Sequence, residues 1–167
     1  MNKPLVSIVM GSDSDLPIMN EAMEALKEFG ICSEIQVMSA HRSPHAVSDF
    51  ATNARSKGYR VIIAGAGGAA HLAGVVAAHT TLPVIGVPID STPLQGFDAL
   101  LATVQMPAGI PVATVAVGKA GARNAGILAA QILSLSETSL VEKLAQFKKK
   151  LSDGVIEKNK KVHRIEP

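Results

Sequence analysis

The chain has 167 residues, of which 18% are charged and 47% hydrophobic, and its formal net charge is +2. This composition excludes a disordered chain, and the length suits one domain with a sizeable core. Seven basic residues lie in the last twenty positions, so the basic charge belongs to an end segment. Nucleic-acid-binding proteins carry their basic surface on the folded body, so we expect no nucleic-acid partner.

Cys32 is the sole cysteine of the sequence, so an internal disulfide is excluded and a reducing compartment is favoured. The apolar run around it predicts a buried thiol. A strand pattern follows residues 1–4 directly, without the pattern of a signal peptide. Glycines, histidines and a proline interrupt the longest apolar stretch, residues 61–87, which predicts no membrane span. We therefore expect a cytoplasmic protein without membrane association.

Apolar runs and helical spacing alternate along the chain. Residues 5–10 predict a buried strand, and residues 16–29 have the helical spacing of a first helix. A second strand is predicted at residues 31–38, and Ser43 followed by Pro44 predicts the start of the second helix. The alternation continues with strands at residues 60–64, 82–87 and 112–117, and with helices at residues 69–79, 97–104, 120–133 and 137–151.

This repeated strand–helix alternation predicts an α/β fold, a three-layer sandwich around a doubly wound parallel five-stranded sheet. The expected strand order is flavodoxin-like, 2-1-3-4-5, with an extra C-terminal helix. We expect a single catalytic domain over residues 1–152 and a basic, solvated tail over residues 153–167. In such sheets the ligand lies outside the carboxyl ends of the strands, at the switch point between strands 1 and 3.

The loop after strand 1, residues 11–15, reads Gly-Ser-Asp-Ser-Asp. Free N–H groups at a helix start bind anions, and serine hydroxyls can assist them. The two carboxylates would repel a phosphate but could accept hydrogen bonds from ribose hydroxyls. Serine and aspartate are also the preferred N-cap residues, and the pattern alone favours simple capping.

The loop after strand 2, residues 39–44, contains His41 and Arg42. An arginine beside a helix N-terminus favours phosphate binding through its charge and its planar fork. Histidine can donate or accept a proton near neutral pH, although both side chains could also be ordinary surface residues. The spacing of His41 and His45 suggests a metal site, but Pro44 begins the helix after His41, and a third ligand is missing. We therefore expect no metal.

The loop after strand 3, residues 65–71, matches the G-x-G-x-x-A dinucleotide pattern, with Asp90 as its acidic partner. The match is weak because the acidic residue lies beyond a further strand, and glycines more generally let backbone approach a ligand. His71 and His79 are more simply interpreted as packed or capping residues. The Gly-Lys-Ala-Gly segment at residues 118–121 lacks the glycine and hydroxyl of a P-loop. The residues alone thus predict a doubly wound protein that binds a small phosphorylated ligand.

The same loops resemble those of the 5-(carboxyamino)imidazole ribonucleotide mutases of purine biosynthesis. The resemblance runs in family order from about residue 6 to residue 133. The matching stretches are VMGSDSD (9–15), SAHRSP (39–44), VIIAGAGGAAHL (61–72), PVIGVP (83–88), QMP (105–107), GIPV (109–112) and GKAG (118–121).

The resemblance implies an isomerase that moves a carboxyl group from the exocyclic nitrogen of an aminoimidazole ribonucleotide to ring carbon C4. The expected route is decarboxylation, trapping of carbon dioxide and recarboxylation, with no metal and no cofactor. It also implies a homo-octamer whose sites neighbouring subunits complete. His41 would be the general acid/base and Arg42 would bind the phosphate, while Ser12 and Asp15 would bind the ribose phosphate part. The further substrate-binding residues implied are Gly11, Ser14, Ser39, Ala40, Gly68, Ala69, His71 and Leu72.

Two alternatives to the mutase remain open. A sister class carboxylates aminoimidazole ribonucleotide directly with carbon dioxide, although the Gly-Gly-Ala-Ala-His stretch at residues 67–71 resembles the mutase class. A non-catalytic flavodoxin-like module that binds a nucleotide is the alternative from another class of protein.

Overall fold

Residues 3–164, the part of the chain that the computed structural model describes, form one parallel sheet and six α-helices. The strands are β1 (Val6–Met10), β2 (Ser33–Val37), β3 (Val61–Gly67), β4 (Val84–Ile89) and β5 (Ala113–Thr114). The helices are α1 (Leu16–Glu28), α2 (Pro44–Lys57), α3 (Leu72–His79), α4 (Phe97–Val104), α5 (Gly118–Ser134) and α6 (Ser139–Val162). A 3₁₀ turn, Asp13–Asp15, precedes α1.

The strand order is β2-β1-β3-β4-β5 and all pairs are parallel, which confirms the predicted flavodoxin-like sheet. Side chains alternate between the two faces of each strand. In β3, Ile63 packs into the core beneath α1 and α5, whereas Ile62 packs into the core beneath α2 and α3. Both faces are therefore covered, as a sheet of nearly continuous apolar strands requires.

Several predicted element bounds were wrong, those of β5, α3 and α6 among them. β5 has two paired residues instead of residues 112–117, and as an edge strand it pairs with β4 alone. α3 begins at Leu72 instead of residue 69, because the Ala70 and His71 N–H groups bond into tight turns on Gly68 and Ala69.

The C-terminal helix α6 ends at Val162, whereas the sequence predicts its end at residue 151. Gly154 does not interrupt it, because a single glycine costs a helix only about 1 kcal/mol. The Lys149 ammonium donates to the Asp153 carboxylate at 2.7 Å, a one-turn pair that supports the helix. Residues 153–164 are exposed, most of them helical, while the predicted tail residues 165–167 lie outside the described residues. The functional division of the chain at residue 152 stays a prediction.

Cys32 is exposed, so the predicted buried thiol was wrong. It precedes β2, which is the edge strand of the sheet and is only half-buried. No helix within residues 3–164 combines the length and the apolar character needed to cross a membrane.

Close contact between α1 and α5 depends on Gly126. A Cβ atom at this position would lie 2.6 Å from the Ala22 carbonyl oxygen and 2.8 Å from the Ala25 Cβ. Neither atom belongs to a flexible side-chain end, so the two helices would have to separate. Overpacking of this kind costs about 1–3 kcal/mol.

We predict that Gly126→Ala lowers the midpoint of thermal unfolding, because the added methyl group separates α1 from α5. Gly154→Ala is the matched control, since a Cβ atom there meets nothing within 4 Å. The control should leave the midpoint unchanged or raise it, because alanine favours a helix by about 1 kcal/mol over glycine. A Gly126→Ala protein as stable as its Gly154→Ala counterpart would contradict the packing argument.

Candidate active site

The loop after β1 is held by a capping box around its 3₁₀ turn. The Ser12 side chain accepts from the Ser14 N–H at 3.3 Å, and the Asp15 carboxylate accepts from the Ser12 N–H at 3.2 Å. Burial raises the pKa of the Asp15 carboxyl, the Ser12 N–H lowers it, and the Asp13 carboxylate raises it further. The loop is therefore capped as its residue types predict, and Ser12, Ser14 and Asp15 also line a cleft.

The loop after β2 is braced by its own serines. The Ser43 hydroxyl donates to the Ser39 carbonyl at 3.1 Å, and it accepts from the Ser39 N–H at 3.0 Å. Ser43 is the N-cap of α2 with Pro44 at the first helical position, as predicted, but its side chain makes no cap hydrogen bond. The Ser39 hydroxyl accepts from the Arg42 N–H at 3.2 Å. These bonds fix the backbone that carries His41 and Arg42.

Arg42 joins the two loops. Its Nη2 donates to the Gly11 carbonyl oxygen at 2.9 Å. The guanidinium is exposed at the cleft, and its remaining N–H donors are available to an anion. The cleft thus combines a fixed cation with the carboxylate of Asp15, two groups suited to different parts of one polar ligand.

His41 contacts His71 across the cleft. His41 Nε2 lies 2.8 Å from His71 Nδ1, and the ring centroids are 4.9 Å apart in a T-shaped arrangement. A bond between two imidazole nitrogens needs one donor and one acceptor, so the pair shares a hydrogen. The geometry therefore suits the transfer of a single proton.

His71 is the N-cap residue of α3, one of the simpler roles that its sequence context favours, but its side chain is not packed away. It is exposed at the cleft, and its side chain makes no cap hydrogen bond to α3. His79 lies at the other end of α3, where its Nδ1 is 3.4 Å from the Ser48 hydroxyl, and it does not line the cleft. His45 is exposed on α2 and does not line it either. Within residues 3–164, no three His, Cys, Asp or Glu side chains are grouped to hold a metal ion.

Small side chains form the part of the cleft contributed by β3 and the turn after it. Ala66, Gly67, Ala69 and Leu72 line it, while Gly68 does not. Gly68 has a φ of +58°, a left-handed conformation that forms the turn between Gly67 and Ala69. The cleft has a volume of about 370 Å³. This is at the lower end of the range for small-molecule sites.

Apart from Gly68, every residue predicted for the site lines this cleft. Those residues are Gly11, Ser12, Ser14, Asp15, Ser39, Ala40, His41, Arg42, Ala69, His71 and Leu72. Ala66, Gly67 and Ser91 also line the cleft and were not among the predicted residues. The position of Ser91 follows from the sheet, because β4 ends at Ile89 and the residues after it emerge at the carboxyl edge.

Comparison with known proteins identifies relatives over most of the chain. The AIR carboxylase family model matches residues 5–154. The N5-carboxyaminoimidazole ribonucleotide mutase of Thermotoga maritima is 52% identical over 162 residues, which cover 97% of this chain and 94% of that protein. The mutase of the same name from Bacillus subtilis is 54% identical over 155 residues, which cover 93% and 96%.

A solved structure extends the similarity to the whole fold. PurE of Treponema denticola is similar to this chain with a TM-score of 0.86 at 29% sequence identity. The match covers 96% of this chain and 99% of that one. The family model and the relatives more than 50% identical cover both the sheet and the loops that form the cleft. The chain belongs to the AIR carboxylase family.

Proposed function

We propose that the protein is an isomerase of purine biosynthesis that converts 5-(carboxyamino)imidazole ribonucleotide to 4-carboxy-5-aminoimidazole ribonucleotide. The observation that carries this function is the cleft itself, in which His41 lies beside Arg42 and opposite a lining of glycine and alanine. Relatives named as mutases of this substrate are 52–54% identical to the chain, which favours this reaction over the non-catalytic alternative.

The two ends of the cleft suit the two ends of the substrate. Arg42 presents free guanidinium donors to the phosphate, and the hydroxyls of Ser12, Ser14 and Ser39 lie in the same cleft. The Asp15 carboxylate is desolvated, so a ribose hydroxyl that donates to it would replace lost water. We assign the ribose phosphate to these loops, which leaves the imidazole for the lining after β3.

His41 supplies the proton chemistry. Protonation of the exocyclic nitrogen breaks its bond to the carboxyl carbon, the bonding electrons stay on nitrogen, and neutral carbon dioxide is released. Ring carbon C4 then attacks carbon dioxide, the new C–C bond forms, and C4 loses its proton. One histidine can give the first proton and take the second, because it serves as acid and as base near neutral pH. We infer that the hydrogen bond to His71 orients the His41 ring between these steps.

The lining after β3 holds carbon dioxide between the two steps. Ala66, Gly67, Ala69 and Leu72 offer no carboxylate or amine with which carbon dioxide could react. A small apolar space beneath the ring keeps a neutral molecule next to C4 and keeps water away from it. No step in this route uses a metal or a cofactor. We place the enzyme in the cytoplasm, which the single cysteine supports because it excludes an internal disulfide.

The subunits form a homo-octamer in this proposal. Leu94, Phe97, Leu101 and Val104 give α4 and the turn before it an exposed apolar surface. Contiguous apolar surfaces of this kind mark interfaces between proteins. The number eight comes from the resemblance to the mutases, and the exposed residues support burial between subunits.

His41→Asn is expected to lower kcat by about 10²–10⁴-fold, the usual effect of losing a general acid/base, with nearly unchanged substrate affinity. His45→Asn is the matched control, because His45 is an exposed histidine outside the cleft, and it should retain full activity. Steady-state kinetics measures kcat and KM, and a fully active His41→Asn enzyme would exclude the role assigned to His41.

Arg42→Ala should instead raise KM, because the phosphate loses its cation. Arg42→Lys should restore only part of the lost substrate affinity, because lysine lacks the planar fork. The same kinetic measurement tests both variants.

Labelled bicarbonate should enter the product slowly compared with the rate of conversion, because carbon dioxide stays in the cleft. The rate should also pass through a maximum with pH, since His41 must both give and take a proton. Mass spectrometry of the product after partial turnover measures the label. Label that appears as fast as the product forms would instead identify a direct aminoimidazole ribonucleotide carboxylase.

In solution we expect a particle of eight chains, each of 17.3 kDa. Light scattering coupled to size-exclusion chromatography measures this mass directly. Phe97→Lys should shift the mass toward smaller species, because it places a charge on the apolar surface of α4. A stable and fully active monomer of the natural chain would exclude the octamer.

A further inference from the structure

Ser91 is a cleft residue with no role in the proposed mechanism so far. It follows β4 by two residues, and the last residue of that strand, Ile89, is in register with Gly67 at the end of β3. The carboxyl ends of adjacent parallel strands lie side by side, so Ser91 emerges beside the lining formed by Gly67 and Ala69. It therefore lies next to the part of the cleft assigned to the imidazole and carbon dioxide.

The Ser91 side chain occupies the space that a side chain at position 67 would need. A Cβ atom added to Gly67 would lie 1.8 Å from the Ser91 hydroxyl oxygen and 2.8 Å from its Cβ. It would also lie 3.1 Å from the Ile89 carbonyl oxygen. Because Gly67 has no side chain, the Ser91 hydroxyl can lie directly against the backbone of Gly67. The serine thus adds a polar group to an otherwise apolar part of the cleft.

The Ser91 hydroxyl differs from the other hydroxyls of the cleft in its hydrogen bonding. Ser12, Ser14 and Ser39 each take part in a hydrogen bond within their own loop. Within residues 3–164, the Ser91 hydroxyl makes no hydrogen bond. It is therefore a donor that a ligand can use without breaking a bond inside the protein.

We propose that the Ser91 hydroxyl donates a hydrogen bond to the carboxyl group that migrates, and so determines where that group is held. This assignment rests on the proposed mutase function. The substrate carbamate, carbon dioxide and the product carboxylate all present oxygen acceptors at this place. A hydroxyl rotates to follow them, and being neutral it does not bind the carboxylate as strongly as an ammonium would.

The hydroxyl assists both covalent steps without entering them. When the N–C bond breaks, its electrons remain on the exocyclic nitrogen, which has received the proton from His41. The hydrogen bond from Ser91 then keeps the released carbon dioxide in place. When C4 attacks, the carbon dioxide oxygens gain negative charge, and a donor already in position stabilises that charge. The proton from C4 returns to His41, so Ser91 gains and loses no atom.

Binding of two nucleotides to Ser91→Ala separates this role from a structural one. The probes are 4-carboxy-5-aminoimidazole ribonucleotide and aminoimidazole ribonucleotide, which differ only in the carboxyl group. We expect Ser91→Ala to weaken the carboxylated nucleotide about tenfold and to leave the other unchanged, because one hydrogen bond to a charged group is lost. Calorimetric titration measures both affinities. Ser56→Ala, at the far end of α2 and outside the cleft, should leave both unchanged.

Turnover gives a second, independent measurement. Ser91→Ala should lower kcat about tenfold and raise the fraction of product labelled by bicarbonate, because carbon dioxide is held less well. Ser91→Cys keeps nearly the same shape but is a weak donor, so it should show the same contrast between the two nucleotides. Equal thermal midpoints of the variants and the natural chain establish that the fold is intact.

Two results would overturn the assignment of Ser91. One is a Ser91→Ala protein that binds the carboxylated nucleotide as tightly as the natural chain, and the other is equal weakening of both nucleotides. If instead the natural chain binds both nucleotides but catalyses no carboxyl transfer, the proposed function fails while the binding contrast still tests Ser91.

Discussion

The carboxyl ends of β1 and β3 lie side by side, with Met10 opposite Gly65, and the chain leaves the two strands in opposite directions along the sheet. The loops that follow them therefore separate and leave the cleft between them. The contact of His41 with His71 crosses this gap, and the bond from Arg42 to Gly11 ties together the two loops on one side of it. Each depends on the strand register, because a slip by one residue would turn every side chain to the opposite face.

The two glycines at the end of β3, Gly65 and Gly67, make room for different neighbours. A Cβ atom at Gly65 would lie 2.3 Å from the Met19 sulfur in the core, and one at Gly67 would displace Ser91 at the cleft. The G-x-G spacing, which in isolation suggests a dinucleotide site, thus has a packing explanation within this chain. The same absence of side chains keeps the lining of the cleft small and apolar.

Sequence patterns predicted the fold and the placement of the site wherever a single local signal, such as an apolar run or a helix-start residue, determines the structure. Continuous apolar runs identified β1 and β3, and Ser43 with Pro44 identified the start of α2. These signals failed where the position of a strand in the sheet determines its length and burial. β5 is a short edge strand, and Cys32 is exposed because it precedes β2, the other edge strand. Ser91 belongs to no motif, and only the ends of the neighbouring strands show that it reaches the cleft.

Confinement of carbon dioxide requires more than the apolar lining, because His41 and His71 are exposed in the single chain. An open cleft of about 370 Å³ cannot by its shape alone exclude water. In the proposed mechanism the nucleotide helps the neighbouring subunits of the octamer to close it, since its ring lies over the lining in order to react at C4. Carbon dioxide then escapes only if the ring moves first. In the proposed mechanism, the residues assigned to the ribose phosphate thereby protect an intermediate that they do not touch, and remote binding energy is used at the reacting carbon.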